Sequence, residues 1–156
     1  MVEQRKAEVI VNVSSGGTAN AKLLHNVRIA VLVPCYNEAP TVAEVIRDFR
    51  DVLPFATIYV YDNNSSDRSA ERAADAGALV RRERHQGKGH VVRRMFADVD
   101  AALYVMVDRD GTYDAAAALG AVIELVENQL DFINIARRGT TSEAYRPGFT
   151  SLATLC

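Results

Sequence analysis

Short apolar segments alternate with amphipathic segments along most of this chain, and this alternation restricts the fold more than any other feature. Strand patterns occur at residues 28–33, 57–61, 78–80, 103–107 and 131–136. Helical patterns lie between them, at about residues 41–53, 67–76, 90–99 and 114–128. Strands that alternate with helices predict an α/β fold with a mainly parallel sheet and helices on both faces.

The distinctive polar residues of the chain fall in the loops that follow the predicted strands. These loops are residues 34–40, 62–67, 82–89 and 108–114. Right-handed crossover connections place all such loops on one rim of a parallel sheet. Ligands of open α/β sheets bind at this rim, so the sequence predicts a binding site there.

Two carboxylates separated by one residue follow the fourth strand. Asp108 and Asp110 would repel each other in one site unless a cation or protons lay between them. Oxygen ligands suit Mg²⁺ or Mn²⁺ better than zinc. An isolated Asp-x-Asp pattern is more often an ordinary turn, so the neighbouring loops decide between the two interpretations.

The loops after the first two strands carry an aromatic side chain and further acids. Tyr36 could stack on a ring, and Glu38 could accept hydrogen bonds from a base or ribose. The alternative is that Tyr36 packs on the sheet rim and Glu38 is solvated. Asp62 is either an acceptor for a base or ribose, or a cap for its own loop.

A glycine-lysine-glycine sequence precedes the third helical pattern. Gly87 and Gly89 allow close backbone approach, Lys88 adds positive charge, and a helix amino terminus favours anions. The spacing is not that of a Walker A motif. The surrounding arginines are explained by a phosphate-facing surface or by a solvated helix face.

The composition is that of one globular domain with a proper core. The 156 residues are 49% hydrophobic and 24% charged, and a net charge of -2 gives no general attraction to nucleic acid or membranes. No apolar run is long enough for a membrane span, and charged residues occupy the amino terminus where a secretory signal would be apolar. Cys35 and Cys156 do not suggest a disulfide framework, so a cytoplasmic protein is expected.

Together, four motifs in this order resemble family 2 glycosyltransferases of the GT-A fold. The motifs are residues 31–38, 61–67, 87–89 and 108–113, and the resemblance covers about residues 28–148. It is nearest to the polyprenyl-phosphate branch, which includes dolichol-phosphate mannose synthase-like enzymes. The resemblance implies a three-layer nucleotide-diphospho-sugar transferase fold, a UDP- or GDP-hexose donor and Mg²⁺ or Mn²⁺.

On the base side of the donor, the resemblance assigns roles to four residues. The family pattern implies that Pro34, Tyr36 and Glu38 line the pocket for base and ribose, and that Asp62 contacts the base.

On the phosphate side, the same pattern places Lys88 near the donor phosphates. Asp108 would serve the ribose or the metal, and Asp110 would be the chief metal ligand. Arg109 departs from the family pattern, which has a small residue there. Thr112 stands where close relatives often have a glutamine ligand, so that ligand is not carried over. No general base is identified.

The resemblance also implies a domain organisation and a setting. Residues 1–26 are expected to be a flexible tail, residues 27–148 the nucleotide-sugar-binding donor half, and residues 149–156 an atypical end. Family members continue beyond this point, so a truncated or frame-shifted product is expected. A polyprenyl phosphate or a cell-envelope glycan is the acceptor that the resemblance suggests, with activity at the inner face of the membrane.

Two other functions compete with glycosyl transfer. The first is a catalytically inactive remnant that still binds a nucleotide sugar. The second is a nucleotidyltransferase, whose glycine- and basic-rich signature should follow the first strand but does not. A dinucleotide-binding oxidoreductase is disfavoured because no G-x-G-x-x-G follows that strand.

Overall fold

A computed structural model of the chain describes residues 24, 26–107, 115–135 and 153–155. Within them, the strands are β1 Ile29–Cys35, β2 Thr57–Asp62, β3 Leu79–Arg82, β4 Leu103–Met106, β5 Ile133–Ile135 and β6 Ala153–Leu155. The helices are α1 Val42–Val52, α2 Ser69–Asp75, α3 Lys88–Asp98 and α4 Ala115–Glu127. The strands form one sheet in the order β3-β2-β1-β4-β6-β5.

The sheet is mainly parallel, as the alternation predicts. Strand β1 pairs in parallel with β2 and β4, and β2 pairs in parallel with β3. Strand β6 runs antiparallel to both β4 and β5. The α/β prediction is therefore confirmed, while β6 lies in a segment for which the sequence predicts no strand.

Helices cover both faces of the sheet. Alternate residues of β1 point to opposite faces, with Val31 and Val33 in a larger core cluster and Ala30 and Leu32 in a smaller one. Residues of α1, α2 and α4 pack in the larger cluster, and residues of α3 pack in the smaller cluster. Burial on both faces explains why β1 is a continuous apolar run.

Pro34 limits the pairing of β1 on one side only. The β1–β2 ladder continues through Pro34 to the pair Cys35 and Asp62, whereas the β1–β4 ladder ends at Leu32 and Met106. Proline has no N–H to donate, so a strand that contains it can continue only where that donor is not needed. This extends β1 two residues beyond the predicted strand, to the rim of the sheet.

Thr41 and Glu44 have the spacing of a capping box, which predicts that their side chains cap the start of α1, but the structure differs. The Thr41 side chain makes no capping hydrogen bond, and its buried hydroxyl has no partner among the described residues. Instead, the Glu38 carbonyl accepts hydrogen bonds from the amides of Thr41 and Val42, each 3.1 Å long. A backbone turn thus performs the role that the sequence assigns to side chains.

Leu24 extends the packed part of the chain toward its amino terminus. Its side chain is 1% exposed and belongs to the larger core cluster, although residue 24 lies in the segment expected to be a tail.

Candidate functional site

Three loops at the carboxyl ends of the parallel strands form the described part of the rim. They are residues 36–41 after β1, residues 63–68 after β2 and residues 83–87 after β3. The chain leaves β4 at the same rim, where the Val107 amide donates to the Leu32 carbonyl at 3.0 Å. Asp108 and Asp110, predicted as metal ligands, lie outside the described residues.

The residues predicted for the donor base lie at two neighbouring strand ends. Pro34 and Glu38 are half-buried, and Tyr36 is 51% exposed. Asp62 is 5% exposed and lies opposite Cys35 in the ladder between β1 and β2. Tyr36 presents much of its ring to solvent, which disfavours the alternative that it packs on the rim.

Asp62 caps the loop that follows it. Both oxygens of its carboxylate accept from the Ser65 amide, at 3.3 Å each. This contact agrees with the interpretation of Asp62 as a cap for its own loop, and it fixes the orientation of the carboxylate at the end of β2.

The loop after β2 is hydrogen-bonded to the loop after β1. The Ser65 hydroxyl accepts a hydrogen bond from the Asn37 backbone amide at 2.9 Å. In return, the Asn37 side-chain oxygen accepts a hydrogen bond from the Ser66 backbone amide at 2.8 Å. Asn37 adopts a positive φ of 52°, which asparagine tolerates better than most residues. These reciprocal bonds hold the backbone beside Tyr36.

A second pair of side chains continues this connection. The Glu38 amide donates to the Ser69 hydroxyl at 2.6 Å, and the Ala39 amide donates to the Asp67 carboxylate at 3.1 Å. The Ser69 hydroxyl in turn donates to Asp67. This hydroxyl, followed by the Ala39 amide, lowers the pKa of Asp67, so the carboxylate is stabilised in its charged form.

Asn63 connects the loop after β2 to the loop after β3. Its side-chain amide donates to the carbonyls of Glu83 and His85, at 3.0 and 2.7 Å. Its side-chain oxygen accepts the Gly87 amide at 2.8 Å. Asn63 is 4% exposed, so these are bonds of a buried side chain.

Asn64 braces the same loop from the surface. Its side chain donates to the Arg84 carbonyl at 2.8 Å and accepts from the Arg82 guanidinium at 3.3 Å. Its φ of 66° is a second left-handed conformation occupied by asparagine at this rim. Residues 63–67 have the composition of helix caps in the sequence, whereas their side chains mainly bond to neighbouring loops.

Glu83 is a buried carboxylate that no motif in the sequence marks. It is 7% exposed and accepts the backbone amide and Nδ1 of His85, at 2.6 and 3.0 Å. The hydrogen bond from the His85 backbone amide is the main cause that lowers the pKa of Glu83. Glu83 thus shapes the loop. No sequence motif marks this residue, because its contact with His85 depends on the conformation of the turn.

The glycine-lysine-glycine sequence begins α3 rather than preceding it. Gly87 is the residue before the helix, with a φ of 128° that favours glycine, and Lys88 is the first helical residue. Lys88 is exposed, and a side chain at Gly89 would meet no atom within 4 Å. The first turn of α3 is therefore accessible at these two residues, and the amino end of the helix has the polarity that favours anions.

Other chemistry is limited in the described part of the chain. There, no group of three or more histidine, cysteine, aspartate or glutamate side chains could hold a metal ion. The metal prediction therefore depends on Asp108 and Asp110. Among the same residues, no helix is long and apolar enough to cross a membrane.

Residues 30–152 match the family model described as glycosyl transferase family 2. Protein RfbJ of Shigella flexneri is 50% identical over 127 residues, which are 81% of this chain and 98% of RfbJ. Glycosyltransferase AglJ of Haloferax volcanii is 45% identical over 100 residues, which are 64% of this chain and 33% of AglJ. The chain thus spans nearly all of one relative and about a third of the other.

Solved structures share the fold. A mycobacterial protein aligns with a TM-score of 0.58 and 25% identity, over 71% of this chain and 39% of that one. Glucosyl-3-phosphoglycerate synthase from Mycobacterium tuberculosis, in complex with Mn²⁺ and UDP-glucose, aligns with a TM-score of 0.53 and 24% identity. That alignment covers 59% of this chain and 36% of the synthase, so the chain spans well under half of either structure.

Proposed function

Because this chain belongs to glycosyl transferase family 2 and has the GT-A fold, we propose that its rim binds a UDP- or GDP-hexose and transfers the hexose to an acceptor. The observation that supports this proposal is the hydrogen-bonded rim itself. The loop after β2 is bonded to the loops on both sides, so the ends of three strands form one continuous polar surface.

The base and ribose would bind at the ends of β1 and β2. Tyr36 offers an exposed ring on which a base can stack, and Pro34 offers an apolar surface beside it. Glu38 would accept hydrogen bonds from the ribose. Asp62, held by the Ser65 amide, would accept from the base.

The diphosphate would bind at the amino end of α3. First-turn amides of a helix and the helix dipole stabilise phosphate groups, and Lys88 adds a full positive charge there. The open space around Gly89 leaves room for a phosphate to approach the backbone.

Asp108 and Asp110 would hold Mg²⁺ or Mn²⁺, with Asp108 also able to serve the ribose. When bound, the metal would supply Lewis-acid stabilisation of the diphosphate leaving group. Carboxylate oxygens suit either ion. One structural neighbour was solved in complex with Mn²⁺ and UDP-glucose, which is consistent with this choice.

The proposal extends to the acceptor only by chemical class. A polyprenyl phosphate or a cell-envelope glycan fits a transferase of this family that acts in the cytoplasm at the inner face of the membrane. The synthase of Mycobacterium tuberculosis was also solved in complex with phosphoglyceric acid, an acceptor class of a different kind, so the fold alone does not select the acceptor.

Calorimetry with UDP, GDP and their hexose conjugates, in Mn²⁺, Mg²⁺ or EDTA, tests the donor site. We expect one nucleotide series to bind with metal, and Asp110→Ala to weaken that binding by at least about tenfold, to the level seen in EDTA. Asp100→Ala is the matched control, since Asp100 is exposed and pairs with Arg28 before β1. No binding by the wild type, or unchanged binding by Asp110→Ala, would contradict the proposal.

Donor turnover separates the transferase from the inactive binding module. The transferase should release nucleoside diphosphate from the bound donor, and the release should increase with a suitable acceptor. Binding without donor hydrolysis or transfer to any acceptor tested would assign the chain to the binding module instead.

A further inference from the structure

We infer that Asn63 is a positioning residue for the donor diphosphate, because its buried side chain fixes the amino end of α3 against the end of β2. The inference rests on the proposed function, since it names the residue that sets the geometry of the phosphate end of that site.

Both the nitrogen and the oxygen of the Asn63 side-chain amide form hydrogen bonds. Its nitrogen donates to two carbonyls of the loop after β3, those of Glu83 and His85. Its oxygen accepts the Gly87 amide at 2.8 Å. A primary amide has two N–H donors, so both donors have partners in this arrangement.

The backbone of Asn63 holds the same residue to the sheet. Its amide donates to the Cys35 carbonyl at 2.9 Å, which ties it to the end of β1. Asn63 also follows Asp62 directly, and Gly87 directly precedes Lys88. The bond between Asn63 and Gly87 therefore joins the residue next to the proposed base contact with the residue next to the proposed phosphate contact.

Gly87 is fixed on both sides of its backbone. Its amide donates to Asn63, and its carbonyl accepts the His90 amide at 3.0 Å inside α3. The φ of 128° at Gly87 turns the chain into the helix between these two bonds. Asn63 thus determines where the first turn of α3 starts and how its amides are directed.

The chemistry of the contacts requires an amide at position 63. An aspartate could accept the Gly87 amide, but its second oxygen would face two carbonyl oxygens and repel them. An apolar residue would leave two carbonyls and one amide of the loop without this partner. Only a side chain with both donors and an acceptor in this geometry satisfies all three groups.

Removal of the side chain should affect phosphate binding and not nucleoside binding. With Mn²⁺ present, we expect Asn63→Ala to raise the Kd for the preferred nucleoside diphosphate by about tenfold or more, the effect of losing one well-placed hydrogen-bonding group. The Kd for the matching nucleoside, uridine or guanosine, should change by less than about threefold, measured by ligand-observed NMR. A residue that merely stabilises the fold would change both constants together.

Asn64→Gly is the matched control. Glycine accepts the positive φ of 66°, and the change removes the contacts of Asn64 to the same loop without touching Gly87. Its ratio of diphosphate to nucleoside affinity should remain within about twofold of the wild type. Gly87→Ala strains the φ of 128° and so disturbs the hydrogen bond between Asn63 and Gly87 at its other partner. This variant should reproduce the Asn63→Ala result.

Amide hydrogen exchange tests the contact without any nucleotide. The Gly87 amide should exchange slowly in the wild type and in Asn64→Gly, and faster in Asn63→Ala. Equal loss of diphosphate and nucleoside binding, an unchanged ratio, or unchanged exchange at Gly87 would overturn the inference alone. A wild type that binds no nucleotide would overturn the proposed function and the inference with it.

Discussion

Ser69→Ala removes one hydroxyl that joins two loops of the rim. Ser69 is fully buried at the start of α2, where its hydroxyl accepts the Glu38 amide at 2.6 Å and donates to the Asp67 carboxylate. The substitution leaves the backbone bond from the Ser69 amide to Asp67 in place. It therefore isolates the contribution of the hydroxyl to the connection between the loops after β1 and β2.

The expected cost follows from the two lost bonds. The bond from the hydroxyl to the charged Asp67 carboxylate contributes about 1.5 kcal/mol, and the half-buried Glu38 amide left without its acceptor costs about 1 kcal/mol. The higher helix propensity of alanine offsets about 0.5 kcal/mol. We expect Ser69→Ala to lower the free energy of unfolding by about 2 kcal/mol.

Urea denaturation measures this loss, and Ser66→Ala is the matched control. Ser66 lies on the same loop, but its hydroxyl is exposed and bonds to Asn37 at a longer 3.2 Å. We expect the control to change stability by less than about 0.5 kcal/mol. Equal losses in the two variants, or a loss below about 0.5 kcal/mol for Ser69→Ala, would refute the reasoning.

The pH dependence of the loss identifies Asp67 as the partner. The hydroxyl of Ser69 is the largest cause that lowers the pKa of Asp67 in the folded chain. A carboxylate whose pKa is lower in the folded chain than in the unfolded chain stabilises the fold at pH values above the unfolded pKa of about 3.9. This stabilisation is lost as the pH falls through the folded pKa. The difference between wild type and Ser69→Ala should therefore narrow below about pH 4, and a constant difference would exclude this contribution.

Two further changes and one titration test other parts of the fold. Gly77→Ala should cost about 1–2 kcal/mol in urea denaturation, because Gly77 has a φ of 91° and a Cβ there would lie 2.8 Å from the Arg50 guanidinium. Gly89→Ala, which meets no atom, should instead stabilise by about 0.5–1 kcal/mol. Burial and then Asp98 raise the pKa of Tyr61 to about 12. The protonated Tyr61 therefore contributes its full stabilisation of the fold below about pH 10, and this contribution is lost as the pH rises through about 12. Ultraviolet titration should show this late tyrosine in the wild type and not in Tyr61→Phe.

The fold could be predicted where its signal is local and periodic. The apolar run of β1 is buried on both faces, so neither face is marked by polar residues and the strand stands out from the helices. The strand ends were also predictable, because polar residues replace the apolar run at the rim of the sheet. Pro34 carries a local signal of its own: proline has no N–H to donate, and β1 continues past it in pairing with β2 but not with β4.

The missed features depend on partners that the sequence does not specify locally. Strand β6 has three residues, too few for any period, and it is defined by its antiparallel pairing with β4 and β5. The capping box failed for a related reason. The carbonyl of Glu38 occupies the place of a side-chain cap, and only the conformation of the preceding loop decides that.

In the candidate site too, the sequence indicates which residue types are present but not which distant residues they contact. Motifs in the sequence point to Asp62 and Lys88, but not to the role of Asn63, whose partners are 20, 22 and 24 residues away. Asparagine after a strand is an ordinary turn residue, so its type alone carries no signal. Three distant contacts make it a structural connection, and these exist only once β2 and β3 are aligned.

The loop after β2 holds its two neighbours through separate sets of side chains. Ser65, Asp67 and Ser69 bond toward the loop after β1, whereas Asn63 bonds toward the loop after β3. The proposed base contacts depend on the first set and the proposed phosphate contacts on the second. Because the two sets share a backbone but no bonds between side chains, substitutions in one set should change affinity for one part of the donor. Affinity for the base and affinity for the diphosphate can then vary independently within one fold.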